Sequence, residues 1–189
     1  MASKIGFKDV RYVMVIDTAK CVGCAACVFA CKQENNVPEG YARDWIEQEV
    51  WGSFPNLAME NRSQRCQHCS NPPCVACCPT GASHIGRGGI TLVDASRCTG
   101  CKACLAACPY DARYLHPETK TVDKCTFCEH RVKVGQMPAC VEICPTNCLH
   151  FGDANDPNSE VHHLLSTRRY KTQLANLGTN PNLYWLERE

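Results

Sequence analysis

The amino-acid sequence predicts an α+β protein made of two pseudo-symmetric lobes, with short hairpins and a helix and a strand near the carboxyl terminus. Three observations predict this fold. The chain has 189 residues and 18 cysteines, and sixteen of these cysteines fall into four closely spaced sets. The first and third sets resemble each other, as do the ends of the second and fourth, which indicates a duplicated unit. Short runs rich in β-branched residues separate the sets.

The third set is the most complete. Residues 98–109 read C-x2-C-x2-C-x3-C-P, the run that binds [4Fe–4S] clusters in two-cluster ferredoxins, where the fourth cysteine binds the other cluster. The first set, residues 21–31, matches it at seven of eleven positions, but Lys32 stands in place of the proline. A helix is therefore expected to continue through Glu34. Each lobe is predicted to be ferredoxin-like and to bind two [4Fe–4S] clusters.

The second set, residues 66–79 with the Thr80 that follows, and the fourth set, residues 125–146, share the ending P-x-C-V-x-x-C-P-T. In the second set Cys77 and Cys78 compete for the last ligand position, and Cys78 is favoured because it keeps the C-x3-C-P spacing. Cys77 is then expected to pack as a small apolar residue. Cys148 is left over and is expected to pack as well. For His68, inside the second set, contact with solvent or a hydrogen bond is expected.

Disulfides and zinc sites are both disfavoured by the spacing of the cysteines. Disulfides between cysteines so close in sequence would close tight, strained loops. Structural zinc sites also use C-x2-C pairs, but three of these four sets end in C-x3-C-P, and two repeat a cysteine every three residues. The spacing therefore favours iron–sulfur clusters over zinc.

The segments between the sets predict a series of short elements. A strand is expected at 11–17, hairpins at 45–59, 83–93 and 113–122, a solvated loop at 129–139, a helix starting at Ser159 and a strand at 183–186. For the loop at 129–139, contact with a partner is the second possibility. The hairpin at 45–59 is expected to cover a cluster, with docking of a partner as the second possibility.

The composition excludes several classes of function. The formal charge is +1 with no basic stripe, so no nucleic acid partner is expected. No apolar run approaches the roughly 20 residues of a membrane helix, so no direct membrane insertion is expected. Residues 1–9 have neither an apolar core nor a twin arginine, so no export signal is expected there. No catalytic constellation is present, and clusters with four cysteine ligands expose no open iron, which predicts electron transfer without catalysis by this chain alone.

The connections between the sets predict which of them share clusters. The hairpin between Cys78 and Cys98 favours a nested arrangement, with the second and third sets together and the first and fourth together. A sequential arrangement stays open, because the residues between Cys108 and Cys125 permit it. The nested arrangement divides the chain into lobe A, residues 1–60 plus 112–189, and lobe B, residues 61–111. Its ligand groups are Cys21, Cys24, Cys27 and Cys144; Cys125, Cys128, Cys140 and Cys31; Cys66, Cys69, Cys74 and Cys108; and Cys98, Cys101, Cys104 and Cys78.

Beyond these motifs, the chain resembles the iron–sulfur electron-transfer subunit of membrane-bound molybdopterin oxidoreductases, the dimethyl sulfoxide reductase family. The polysulfide and thiosulfate reductase type is the most similar. The segments that carry the resemblance are CPYDARYLHP at 108–117, DKCTFC at 123–128, PACVEICPT at 138–146, FGDANDP at 151–157 and GTNPNLYWL at 178–186.

This resemblance implies a relay between an integral membrane quinone-binding subunit and a large molybdopterin-containing catalytic subunit. It implies the nested pairing, with lobe A facing the catalytic subunit and lobe B the membrane subunit. It also implies a position peripheral to the cytoplasmic membrane, on the periplasmic side after export with a signal-bearing partner, with the cytoplasmic side left open. Two alternatives stay open: the iron–sulfur subunit of a formate dehydrogenase or hydrogenase complex, and a free soluble polyferredoxin.

Overall fold

The computed structural model of the protein describes residues 10–188 and has a mixed α+β fold of small sheets and short helices. Residues 1–9, in which no export signal is expected, lie outside the described residues. The strands are β1 (Tyr12–Asp17), β2 (Asp44–Ser53), β3 (Asn56–Arg65), β4 (Ser83–Ile85), β5 (Thr91–Val93), β6 (Tyr114–Leu115), β7 (Val122–Asp123), β8 (Leu149–Asp153), β9 (Tyr170–Lys171) and β10 (Leu183–Leu186). The helices are α1 (Ala26–Glu34), α2 (Pro73–Ala76), α3 (Ala103–Ala106), α4 (Glu129–Val132), α5 (Ala139–Glu142) and α6 (Glu160–Thr167).

The largest sheet has four strands in the order β8-β1-β10-β9. Strand β1 runs antiparallel to β8 and parallel to β10. It is buried on both faces, which explains its nearly continuous apolar sequence. Val13 and Val15 pack with Val161 of α6, whereas Met14 and Ile16 belong to the core that contains the cysteines. The predictions of β1, α6 and β10 are confirmed.

The hairpin of β2 and β3 is confirmed and is longer than predicted. Its ten paired positions run from Asp44 opposite Arg65 to Ser53 opposite Asn56. The inner end, at Asp44 and Arg65, is buried. The outer end, at Ser53 and Asn56, is exposed, and Phe54 in the turn has 88% of its surface accessible. The inner half therefore covers the cysteine core, while the outer half extends into solvent.

The shorter hairpins β4–β5 and β6–β7 are also confirmed. The segment at 129–139 is largely exposed, but the prediction of a loop throughout is wrong, because it begins with the helical turn α4. Arg131 holds this turn in place by ion pairs with Glu34 of α1 and Glu142 of α5. Charged contacts of this kind are formed between distant residues and leave no local sequence pattern.

The short helices of the four cysteine sets pack in two pairs. Helix α1 of the first set packs on α5 of the fourth, and α2 of the second packs on α3 of the third. The pairing Ile16↔Leu149 between β1 and β8 brings the chain just before the first set next to the chain just after the fourth. Within residues 10–188, no helix is long and apolar enough to cross a membrane.

Candidate iron–sulfur sites

The first C-x2-C loop of each of the four sets shares one backbone feature. The third residue of each loop has a positive φ, 70° at Gly23, 43° at His68, 67° at Gly100 and 52° at Phe127. A left-handed residue turns the chain sharply, so that both cysteines of a pair can reach one cavity. Glycine adopts this conformation freely, whereas His68 and Phe127 stack on each other with ring centroids 3.6 Å apart.

Twelve of the sixteen predicted residues line three cavities, four to each. In every cavity three cysteines come from one set and the fourth comes from another set. The first and fourth sets share one cavity, and the second and third sets share the other two. The Cys21 cavity is lined by Cys21, Cys24, Cys27 and Cys144, the Cys66 cavity by Cys66, Cys69, Cys74 and Cys108, and the Cys98 cavity by Cys78, Cys98, Cys101 and Cys104.

The four remaining predicted residues lie close together and are called the Cys125 group: Cys31, Cys125, Cys128 and Cys140. The side-chain amide of Asn35 links two of them, because its Nδ2 lies 3.7 Å from Cys31 Sγ and 3.8 Å from Cys128 Sγ. Burial raises the pKa of the Cys31 thiol, and the charges of Cys125 and Cys140 add to this. The first and fourth sets therefore meet a second time in this group.

The four groups differ in exposure to solvent. All four cysteines of the Cys125 group are buried, as are Cys66, Cys69 and Cys74 of the Cys66 cavity. In contrast, Cys24 of the Cys21 cavity and Cys101 of the Cys98 cavity are exposed. Two groups are thus interior and two reach the surface.

The two leftover cysteines have different surroundings. The prediction that Cys77 packs is wrong: its side chain is exposed, because Cys74 and Cys78 take the inward positions at this short helix. Cys148 is buried as predicted, in the wall of the Cys21 cavity, with its Sγ 3.4 Å from Cys144 Sγ. A side-chain hydrogen bond between Cys148 and Cys21 lowers the pKa of Cys21 and raises the pKa of Cys148.

His68 forms a hydrogen bond and has no contact with solvent. Its side chain is fully buried, and its Nδ1 accepts the Thr91 N–H at 3.1 Å. Burial holds the pKa of His68 well below its usual value, so the ring is neutral. The proton is therefore on Nε2, which has no hydrogen-bond partner among the described residues.

The buried thiols need a compensating positive charge before they can ionise. Burial raises the pKa of Cys69 to about 12, of Cys125 to about 12 and of Cys140 to about 11. A thiolate is the form that binds iron, so metal binding would release these protons. Among the described residues no group of His, Cys, Asp and Glu side chains is arranged to hold a single metal ion.

Three buried cations lie beside these thiols. Arg65, Arg113 and Lys124 are each 5% exposed or less. In the described part of the chain, no carboxylate is within ion-pair distance of Arg113 or Lys124, and Arg113 Nε and Nη1 lack hydrogen-bond partners. Buried cations are rare unless an anion is near. These three buried cations, together with the unpartnered Nε2 of His68, are the surroundings expected for anionic clusters that thiolates ligate.

Sequence reasoning missed these three cations, although a signal was present for two of them. A basic residue stands directly before the first cysteine of every set: Lys20, Arg65, Arg97 and Lys124. Only Arg65 and Lys124 are buried, and they precede the sets whose first cysteines lie in the interior groups. The repeated position was visible in the sequence, but the difference in burial was not.

Comparison with known proteins gives one matching family model and several similar chains. A family model described as a 4Fe-4S dicluster domain matches residues 57–154. Protein NrfC of Escherichia coli is 47% identical over 188 residues, which cover 97% of this chain and 84% of the relative. The B subunit of polysulfide reductase from Wolinella succinogenes is 41% identical over 181 residues, covering 92% and 93%. Thiosulfate reductase electron transfer subunit PhsB of Salmonella typhi is 45% identical over 172 residues, covering 89% and 88%.

These three relatives match 89–97% of the present chain. Two of them are named as parts of reductases, and one is named an electron transfer subunit. The chain therefore belongs to the 4Fe–4S dicluster family of iron–sulfur electron-transfer subunits, together with NrfC, the polysulfide reductase B subunit and PhsB.

Proposed function

We propose that this protein holds four [4Fe–4S] clusters and relays electrons between two partner subunits. The observation that carries the proposal is the grouping of sixteen cysteines into four groups of four, each drawn from two sets. The Cys21 cavity and the Cys125 group would form lobe A, residues 1–60 plus 112–189. The Cys66 and Cys98 cavities would form lobe B, residues 61–111.

When bound, each cluster supplies one-electron chemistry and, with four cysteine ligands, no open iron for a substrate. The protein would bind the four clusters, keep two of them in its interior and leave two of them near its surface. Burial of the Cys125 group and most of the Cys66 cavity excludes water from the interior of the relay. Exposure of Cys24 and Cys101 offers one contact point at each end.

The proposed partners are a large molybdopterin-containing catalytic subunit, beside lobe A, and an integral membrane quinone-binding subunit, beside lobe B. The names of the relatives support a reductase of the polysulfide or thiosulfate type. The proposed location is peripheral to the cytoplasmic membrane on its periplasmic side, reached by export with a signal-bearing partner.

Cluster analysis of the purified holoprotein tests the relay. We expect about four [4Fe–4S] clusters per chain by iron and sulfide content, all reducible by dithionite. The isolated protein should not turn over polysulfide or thiosulfate, because protein ligands occupy every cluster. Turnover without a partner, or fewer than four clusters in the fully loaded protein, would contradict the proposal.

Copurification from the native membrane tests the partners. A tagged chain should retain a large subunit containing molybdenum together with an integral membrane subunit. Recovery of a hydrogenase subunit, or of the chain alone under mild extraction, would contradict this choice of partners without affecting the cluster assignment.

A further inference from the structure

Arg65 lies between the Cys125 group and the Cys21 cavity. Its Nη1 donates to Cys140 Sγ at 2.9 Å, and its Nη2 donates to Ser63 Oγ. Ser63 lines the Cys21 cavity, and its Oγ is 3.7 Å from Cys27 Sγ. The one carboxylate near Arg65 in the described chain is Asp44, whose Oδ2 is 3.7 Å from Nη2. One guanidinium thus contacts one cysteine group directly and reaches the next through a serine hydroxyl.

Arg113 repeats this arrangement in the other half of the molecule. Its Nη2 donates to Cys74 Sγ at 2.8 Å and to Ser83 Oγ at 3.0 Å. Cys74 lines the Cys66 cavity, and Ser83 lines the Cys98 cavity. Cys74 and Cys140 hold the same place in the P-x-C-V-x-x-C-P-T sequence that ends their sets. Arg113 and Arg65 are therefore equivalent in the duplicated structure, although no sequence motif relates them.

Lys124 lies at the remaining junction, between the Cys125 group and the Cys66 cavity. It directly precedes Cys125, and its Nζ donates to the carbonyl oxygen of Cys125 at 2.6 Å and to that of Thr91. Thr91 lines the Cys66 cavity. The ammonium group is completely buried, and both of its hydrogen bonds go to neutral carbonyls.

Each of the three cations lies between two of the four groups, so the groups follow one another in a single row. The order is the Cys21 cavity, Arg65, the Cys125 group, Lys124, the Cys66 cavity, Arg113 and the Cys98 cavity. We infer that Arg65, Lys124 and Arg113 are positioning residues that place one buried positive charge at each junction and thereby raise the reduction potentials of the two flanking clusters. This inference rests on the proposed function, because it requires clusters in all four groups.

The physical reason is electrostatic. Uptake of one electron adds one negative charge to a cluster with its thiolates, and a nearby fixed cation stabilises that charge without any proton transfer. Such a charge acts strongly in a buried site, where neither water nor salt screens it. Lys20 and Arg97 hold the same place before their sets as Lys124 and Arg65, but they are exposed and should have little effect.

Redox titration of the holoprotein, followed by electron paramagnetic resonance, tests the inference. In Lys124→Gln and in Arg113→Gln, two of four potentials should become more negative while the cluster content stays at four. The two variants should share one shifted cluster, that of the Cys66 cavity. The matched controls Lys20→Gln and Arg97→Gln change the same charge at exposed positions and should leave all four potentials unchanged.

Three results would overturn the inference: unchanged potentials in Arg113→Gln with four clusters present, an equal shift of all four clusters, or equal shifts in the exposed controls.

If Arg113→Gln loses a cluster, the variant Arg113→Lys distinguishes a role of charge from a role of packing. Four clusters with potentials near those of the original protein support a role of charge, whereas cluster loss in Arg113→Lys as well indicates packing and overturns the inference. An unmutated protein with fewer than four clusters would instead contradict the proposed function, and the inference with it.

Discussion

At the scale of single residues, the cysteine loops depend on backbone conformations that few side chains tolerate. Gly23 and Gly100 occupy equivalent places in the first and third sets, with φ of 70° and 67°. A Cβ at Gly100 would collide with the carbonyl oxygen of Lys120, which belongs to the backbone and cannot move easily. At Gly23 the nearest atom, 2.9 Å away, is Oδ1 of the Asn61 side chain. Gly100 is therefore the more constrained of the two.

Gly100→Ala should lower the thermal midpoint of the holoprotein by several degrees. We expect a loss of roughly 1–3 kcal/mol from the contact with Lys120, at about 2–4 °C per kcal/mol for a chain of this size. Gly40→Ala is the matched control, because Gly40 has a φ of 79° but no atom within 4 Å of its added Cβ. Equal decreases in both variants would show that the close contact has no effect.

The two leftover cysteines should be dispensable for cluster assembly. Cys77 is exposed, and Cys148 lies beside a cavity that already has four cysteines from two sets. Cys77→Ser and Cys148→Ser should therefore each keep four clusters by iron content and magnetic resonance. Absence of one cluster from either variant would identify that residue as a ligand.

At the scale of elements, the β2–β3 hairpin has two halves with different surroundings. Ile46 and Ser63 from the inner half line the Cys21 cavity, which agrees with the predicted role as a cover. The outer half exposes several large apolar side chains: Val50, Trp51, Phe54, Leu57 and Met59. The inner half therefore supports a cluster site, whereas the outer half contributes little to it.

Asn61→Ala should weaken the Cys21 cavity. Asn61 is buried, and its Nδ2 donates to the carbonyl oxygen of Cys21 at 3.1 Å. Loss of a buried hydrogen bond costs about 1–3 kcal/mol, so a chelator should remove iron from one cluster faster in this variant. Leu57→Ser, in the exposed half of the same strand, should release iron at the original rate. Faster release in both variants would indicate that the whole hairpin, and not its inner half, supports the site.

At the scale of the whole molecule, long-range strand pairing brings the first and fourth sets together. Strand β1 ends just before Cys21, and β8 begins just after Cys148. The Asp17 N–H donates to the carbonyl oxygen of Cys148 at 2.8 Å, which joins the two ends. The β4–β5 hairpin lies between Cys78 and Cys98 and connects the second and third sets.

The nested arrangement predicts which cysteine variants affect the same cluster. Cys31→Ala and Cys128→Ala should alter one common resonance signal, because both residues belong to the Cys125 group. Cys69→Ala, in the Cys66 cavity, should alter a different signal. If Cys31→Ala and Cys69→Ala changed the same signal, the sequential arrangement would be correct.

The local sequence was sufficient for the elements that depend on neighbouring residues. Regular alternation and turn residues predicted the hairpins, and the apolar run at β1 predicted a buried strand. Strands β8 and β9 were not predicted, since β9 has two residues and both depend on partners far along the chain. The helical turn α4 was missed for the same reason, because ion pairs of Arg131 with Glu34 and Glu142 support it.

The sequence by itself determined the family and the sixteen candidate ligands, because iron–sulfur motifs depend on short, fixed spacings between cysteines. Only the tertiary structure decided which cysteines lie together, that Cys77 faces solvent, and that Arg65 and Lys124 are buried while Lys20 and Arg97 are exposed. The physical reason is that burial and charge environment depend on contacts between residues that are distant in the sequence. Four basic residues hold equivalent positions in the sequence, and the fold buries two of them beside the interior cysteine groups.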